Sequence, residues 1–218
     1  GFGVFTMAWL PYLLPSYGEA TTLSGILAMA GSILVAFKNW RKIDWHKLTP
    51  ILITFIVSSC ASIHFVSVAD DHLLKRILGV MLIIASLWFL AISKHVKVKP
   101  TLPVQITMGT ISGVMGGLFA MHGPAAVLYF LACAKDKDEY VVLTMTYLLL
   151  GNIMMLGFRI HNGFLTPAVG HAFLYGIFAV AIGTWVGSKV FHRLSTDVVK
   201  KISYAYIAIS GVLSLVMS

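Results

Sequence analysis

Ser112-Gly-Val-Met-Gly-Gly-Leu-Phe-Ala-Met-His-Gly-Pro-Ala-Ala-Val127 is the stretch on which the fold turns. It is apolar, yet its glycines and its proline argue against one unbroken helix. Glycine lets a backbone unwind and approach a ligand closely. Pro124 suits the first turn of a new helix, where its missing N–H costs nothing. The stretch therefore predicts two arms, over 102–120 and 124–134, broken at Gly113, Gly116, Gly117, Gly123 and Pro124. At about 1.5 Å per residue the second arm is too short to cross a bilayer. A re-entrant hairpin is expected, since non-helical backbone at membrane depth is tolerated only where protein buries it or it lines a cavity.

The rest of the chain supplies the membrane. Of 218 residues, 58% are hydrophobic and 11% charged, against about 25% charged in soluble domains. Mean hydropathy is +0.89. Residues 51–68, 77–92, 140–158, 173–190 and 202–217 are runs nearly free of charge, close to the roughly 20 residues a span requires. They are apolar all round, whereas soluble helices keep a polar face. The net charge of +8 sits in short loops, as topology demands, so no nucleic-acid partner is expected; the partner is the lipid bilayer. Cys60 and Cys133 fall in apolar stretches and read as free thiols.

An internal repeat organises these spans. Leu73-Leu-Lys-Arg-Ile77 aligns with Val198-Val-Lys-Lys-Ile202 at an offset of 125, and Gly31-Ser32 with Gly151-Asn152 at an offset of 120. Phe2-Gly3 aligns with His122-Gly123 at that same offset of 120. The loop after 18–37 carries Lys38, Arg41, Lys42 and Lys47, whereas its counterpart in the second half carries only Arg159. Lys94, Lys97 and Lys99 fall in one loop, and Lys189, Arg193, Lys200 and Lys201 in a later one. Because basic loops prefer the cytoplasm, equivalent loops face opposite sides, the mark of an inverted repeat.

The expected fold is all-α integral membrane: an inverted repeat of three spanning helices plus a re-entrant broken-helix hairpin each, with the first hairpin truncated at the N-terminus. Its parts are a first repeat over 1–93, a cytoplasmic linker over 94–100 and a second repeat over 101–218.

The hairpin tip carries the expected chemistry. Amides around Gly123, Ala125 and Ala126 would meet the tip at the positive end of a helix dipole, an anion site without a fixed charge. Gly1-Phe-Gly-Val4 is the first-half counterpart, so a second tip with Gly1 and Gly3 is expected to face the first near the midplane, as in transporters with paired broken helices. Gly116 and Gly117 read either as part of this site or as packing glycines. Met121 belongs to the tip. His122 reads as an anion ligand, a proton carrier or a side chain bonded to a loop carbonyl. Asn152 lines the site or bonds another helix, and Ser24 and Ser32 occupy places equivalent to Thr144 and Asn152 in the first half.

The same stretch, read from Ile111 to Tyr129, resembles the glycine-rich signature G-x-x-x-G-L-F-G-x-G-G-P-P of the TauE/SafE family of sulfite and organosulfur anion exporters. The resemblance runs over the whole chain. It departs at Ala120 and His122, where glycine is usual, and at Ala125, where a second proline is usual. It implies export across the cell (inner) membrane of a small sulfur-containing anion such as sulfite, thiosulfate or an organosulfonate. The residues alone give only an anion, and an anion channel or a membrane enzyme using His122 remain alternatives.

Other residues read more plainly. His64 is a polar residue near the end of a span. Arg159 reads as a snorkelling anchor or, as the less favoured alternative, a residue that attracts or releases anions; Glu19 reads as a helix-capping acid, and Trp40, Trp45, Trp88 and Trp185 as an aromatic belt. No carboxylate pair lies within a span, and no Walker motif, metal-spaced His/Cys set or nucleophile elbow is present. No metal, cofactor or catalytic residue is therefore expected. The coupling ion, a proton or another cation, stays open.

The repeat also predicts that a helix of roughly 20 residues, the counterpart of 101–121, precedes Gly1 in the natural protein. Mass spectrometry of the native N-terminus checks this, and a mature chain starting at Gly1 would contradict it.

Overall fold

The computed structural model describes residues 2–38, 43–91, 101–121, 123–191, 205–206, 209–212 and 215. Among the described residues the chain is all-helical. Two short helices, α1 (Phe2–Met7) and α2 (Leu10–Leu13), precede three long ones: α3 (Tyr17–Lys38), α4 (Trp45–Val68) and α5 (Asp71–Ala91). Then come α6 (Leu102–Phe119), the short α7 (Gly123–Cys133), α8 (Lys137–His161) and α9 (Pro167–Phe191). By length and composition α4, α6 and α8 can each cross a membrane. Gly1 and His122 lie outside the described residues, as do Trp40 and more than half of the expected last span over 202–217.

Side-chain contacts give the helix directions. Lys47 at the start of α4 pairs with Glu139 at the start of α8, Nζ to Oε1 2.6 Å, and further along Phe55 packs edge-on against Tyr147. These two helices therefore run parallel. Helix α6 runs parallel to both, because Gly109, Gly113 and Gly117 meet Ile51, Phe55 and Ser59 in ascending order. Helix α3 runs the other way: Gly18 meets Phe164, Thr21 meets Arg159, and Gly25 meets Arg159 and Asn152. The chain halves interleave. Helix α3 packs mainly on α8 and α9, and α4 on α6 and α8, while α3 and α4 barely touch.

The tightest packing joins α4 to α6. A Cβ built on Gly109 would strike Thr54 Oγ1, with the Ile51 carbonyl 2.6 Å away. One on Gly113 would strike Ser58 Oγ and one on Gly117 would lie 2.5 Å from Ser62 Cβ. The hydroxyls fold back on their own helix, Ser58 onto the Thr54 carbonyl at 2.7 Å and Ser62 onto the Ser58 carbonyl at 2.9 Å. Two stripes of small residues, each repeating every fourth position, thus let the backbones approach closely, the usual basis of helix association where lipid removes the hydrophobic drive.

This corrects the expected break at Gly113, Gly116 and Gly117. Helix α6 is continuous through all three, because Gly113 and Gly117 serve close packing and not unwinding. The break falls at Ala120, in the left-handed region at φ 55°, ψ 27°. There the Ala120 amide donates to the Gly116 carbonyl at 3.0 Å and the Met121 amide to the Met115 carbonyl at 3.2 Å. Pro124 is the second residue of α7, where a missing N–H costs nothing. The arms clasp at their far ends through Gln105 Nε2 donating to Tyr129 Oη at 2.6 Å. The tip, Phe119 to Met121, packs with Val66, Leu74 and Tyr17, level with the last part of α4.

Two substitutions test this account. Gly113→Val overpacks the α4–α6 contact and is expected to cost about 1–3 kcal/mol, read as earlier thermal unfolding in detergent; Gly157→Ala, with no atom within 4 Å of the added carbon, should leave it unchanged. Ala120→Gly relieves a left-handed alanine, a conformation costing roughly 1 kcal/mol, and is expected to raise the unfolding temperature by a few degrees.

Candidate functional site

Among the described residues one cation is buried. Arg159, in the last turn of α8, is 2% exposed and among the largest fully buried side chains. Its Nη1 donates to the Thr21 carbonyl on α3 at 2.5 Å. Nη2 donates to the Gly116 carbonyl on α6 at 3.1 Å and reaches the Gly117 carbonyl at 3.5 Å. No carboxylate lies within ion-pair distance of it among the described residues. The guanidinium therefore bridges α3, from the first half, to the arm leading to the hairpin tip. The snorkelling reading of Arg159 is overturned: the hairpin and α3 close over this end of α8 and leave the side chain no route to solvent.

A path of contacts from it reaches half of the residues expected at the site. The space beside Gly25 is shared by Arg159 Nη1 and Asn152 Oδ1, 3.0 and 3.4 Å from where a Cβ would sit. The Asn152 amide also donates to the Leu148 carbonyl at 2.7 Å. Ser24, next to Gly25, is fully buried, and its hydroxyl lies 2.6 Å from that of Thr6 on α1. Thr6 in turn donates to the Gly3 carbonyl at 3.2 Å. Gly3 lies against the Ala120 carbonyl, so closely that a Cβ would collide with it and sit 3.5 Å from Met121 Cα. A continuous path of contacts thus joins Gly3, Ser24, Gly116, Gly117, Met121 and Asn152 through Arg159, Thr6 and Gly25.

Other expected residues sit elsewhere. Gly123 and Pro124 form the first turn of α7, with Ala125 buried beside them. Ser32 is buried two turns beyond Gly25, its hydroxyl bonded to the Ala28 carbonyl at 3.1 Å. His64 lies on the exposed face of α4. Glu19 is buried and not a solvated cap, with Oε2 lacking a hydrogen-bond partner among the described residues. Cys60 and Cys133 are free and half-buried.

The sequence did contain a signal for Arg159. It follows Asn152 by seven residues, nearly two helical turns, and so lies on the same face of α8. That face, with Gly151, Asn152 and Met155, is the buried one, while Ile153, Met154 and Ile160 point outward. A lone arginine at a span's end ordinarily reads as an anchor; its helical phase indicated the interior.

No curated protein and no solved structure matches the chain. A family model, described as Sulfite exporter TauE/SafE, matches residues 1–214, nearly the full length. With its long apolar helices, the chain is a multi-pass membrane protein of the transport class, and it belongs to the TauE/SafE sulfite exporter family.

Proposed function

We propose that the protein is a secondary transporter that exports a small sulfur-containing oxyanion, such as sulfite, thiosulfate or an organosulfonate, across the cell membrane, with Arg159 as the anion's counter-charge beside the α6–α7 tip. The observation that carries this reading is the fully buried guanidinium held by three backbone carbonyls and, among the described residues, no carboxylate. Burying an unpaired cation is costly, and carbonyl dipoles spread its charge without cancelling it. A bound anion completes the balance, and guanidinium–oxyanion hydrogen bonds are among the stronger ones available to a protein.

The family supplies the substrate class and the geometry supports a mechanism. Helices α3 and α8, equivalent at the offset of 120, pack antiparallel, as two units of opposite orientation would. Helices α6 and α7 have their open ends where α4 and α8 begin, in keeping with a re-entrant hairpin whose tip presents the start of α7. Rocking of one repeat against the other about this site would give alternating access. Arg159 contacts both halves, so the anion would sit where they move relative to each other. Gly3, Ser24, Asn152, Met121 and the first turn of α7 with Gly123, Pro124 and Ala125 would complete its surroundings, with Gly1 and His122 adjoining the tips in sequence.

Flux of sulfite, thiosulfate and sulfoacetate in proteoliposomes tests the reading, and no flux of any of them with intact protein would refute it. Arg159→Lys keeps the charge but loses the planar fork, and is expected to raise KM roughly tenfold. Arg159→Gln removes the charge at about 2–4 kcal/mol and is expected to lower kcat/KM by roughly 30-fold to 1,000-fold. Wild-type kinetics in both variants, with unchanged elution and melting profiles, would remove Arg159 from the site.

A further inference from the structure

Resting on the anion site just proposed, we infer that Tyr17 is its second donor and that the site selects singly charged oxyanions over dianions. Tyr17 opens α3 and its side chain is fully buried. Its backbone amide is fixed by Asp71 Oδ2 at 3.0 Å, which locks the residue in place at the junction of α3 and α5. Its phenol oxygen has no hydrogen-bond partner among the described residues. A buried, unsatisfied hydroxyl is an unfavourable arrangement that folded proteins ordinarily avoid. The ring packs in one cluster with Phe119, Ala120 and Met121, the hairpin tip itself, and one turn further along α3 the Thr21 carbonyl accepts from Arg159 Nη1. A positioned O–H donor and a guanidinium therefore share the tip.

The surroundings set the charge of the ligand. Met7, Val66, Leu74 and Leu78 complete the apolar wall around Tyr17. Arg159 and Glu19 are the two buried charged side chains among the described residues, and the second is an acid. One cation can neutralise one negative charge. A dianion would bring a second, uncompensated charge into this apolar enclosure, where desolvation is heavily penalised. The guanidinium has five N–H groups, of which no more than three meet the described carbonyls. It can thus bond an oxyanion without surrendering its bridge to α3 and α6. The chemistry fits hydrogen sulfite or a monosulfonate, one oxygen accepting from Arg159 and another from the Tyr17 phenol.

Ligand-induced thermal stabilisation of the purified full-length protein in detergent tests this, with methanesulfonate and sulfate as probes at equal ionic strength. Both present sulfur-bound oxygens, and they differ in charge. Methanesulfonate is expected to stabilise the wild type in a saturable manner, and sulfate to require at least tenfold more for the same shift. Tyr17→Phe keeps the ring and is expected to weaken methanesulfonate roughly tenfold, the effect of one lost hydrogen bond to an ion, while leaving the ligand-free melting temperature near that of the wild type. Equal stabilisation by sulfate, stabilisation by neither probe, or an unchanged affinity in Tyr17→Phe would overturn the inference. Selective stabilisation without flux in proteoliposomes would uphold it and sink the transport reading alone.

Discussion

Everything at the centre of this molecule depends on how closely α6 can approach α4. In lipid no hydrophobic force drives two apolar helices together, and contact must be earned by shape. Gly109, Gly113 and Gly117 provide a flat stripe on α6, and Thr54, Ser58 and Ser62 a matching one on α4. Their hydroxyls are already bonded within their own helix and add no unsatisfied group to the seam. The seam fixes the height and rotation of α6. It thereby sets the direction of the Gly116 carbonyl, one residue away from the packing face and turned toward Arg159.

Arg159 then does what a packing seam cannot. A guanidinium is rigid, planar and permanently charged, and here it spans from a carbonyl of α3 to carbonyls of α6. Those elements belong to different halves of the chain. Its position between them ties the two halves together at one buried charge. A helix N-terminus alone offers only a fraction of a charge at its tip. A full charge at Arg159 exceeds that fraction, and its burial was the feature that the reading of the sequence did not expect.

The membrane class, the helix-break-helix at 120–124 and the short second arm were legible because each has a local cause: apolar runs, glycine density and a proline at a helix start. The division of labour among the glycines was not legible. Gly113 and Gly117 pack while Gly116 offers its carbonyl, and only the position of α4 decides which face does what. Ala120 instructs in the opposite sense. It departs from the glycine usual in the signature, and it is the residue that takes a left-handed conformation, so the departure marked the true break. The burial of Arg159 and Tyr17 was hard to read for one shared reason. Each lies near the end of a helix, where sequence reading expects water, and each is covered by segments distant in the chain.

The interleaving of the halves bears on how the protein is made. The hydroxyl-bearing face of α4 has its partner in α6, and α3 finds its main neighbours in α8 and α9. The span α4 must therefore enter the bilayer before its main partners α6 and α8 have been delivered by the ribosome. The back-bonded serines and threonines make that wait tolerable, because α4 presents lipid with few hydroxyls lacking an acceptor. A chain that keeps its polar seam satisfied before assembly can assemble late, without the first half having to fold by itself.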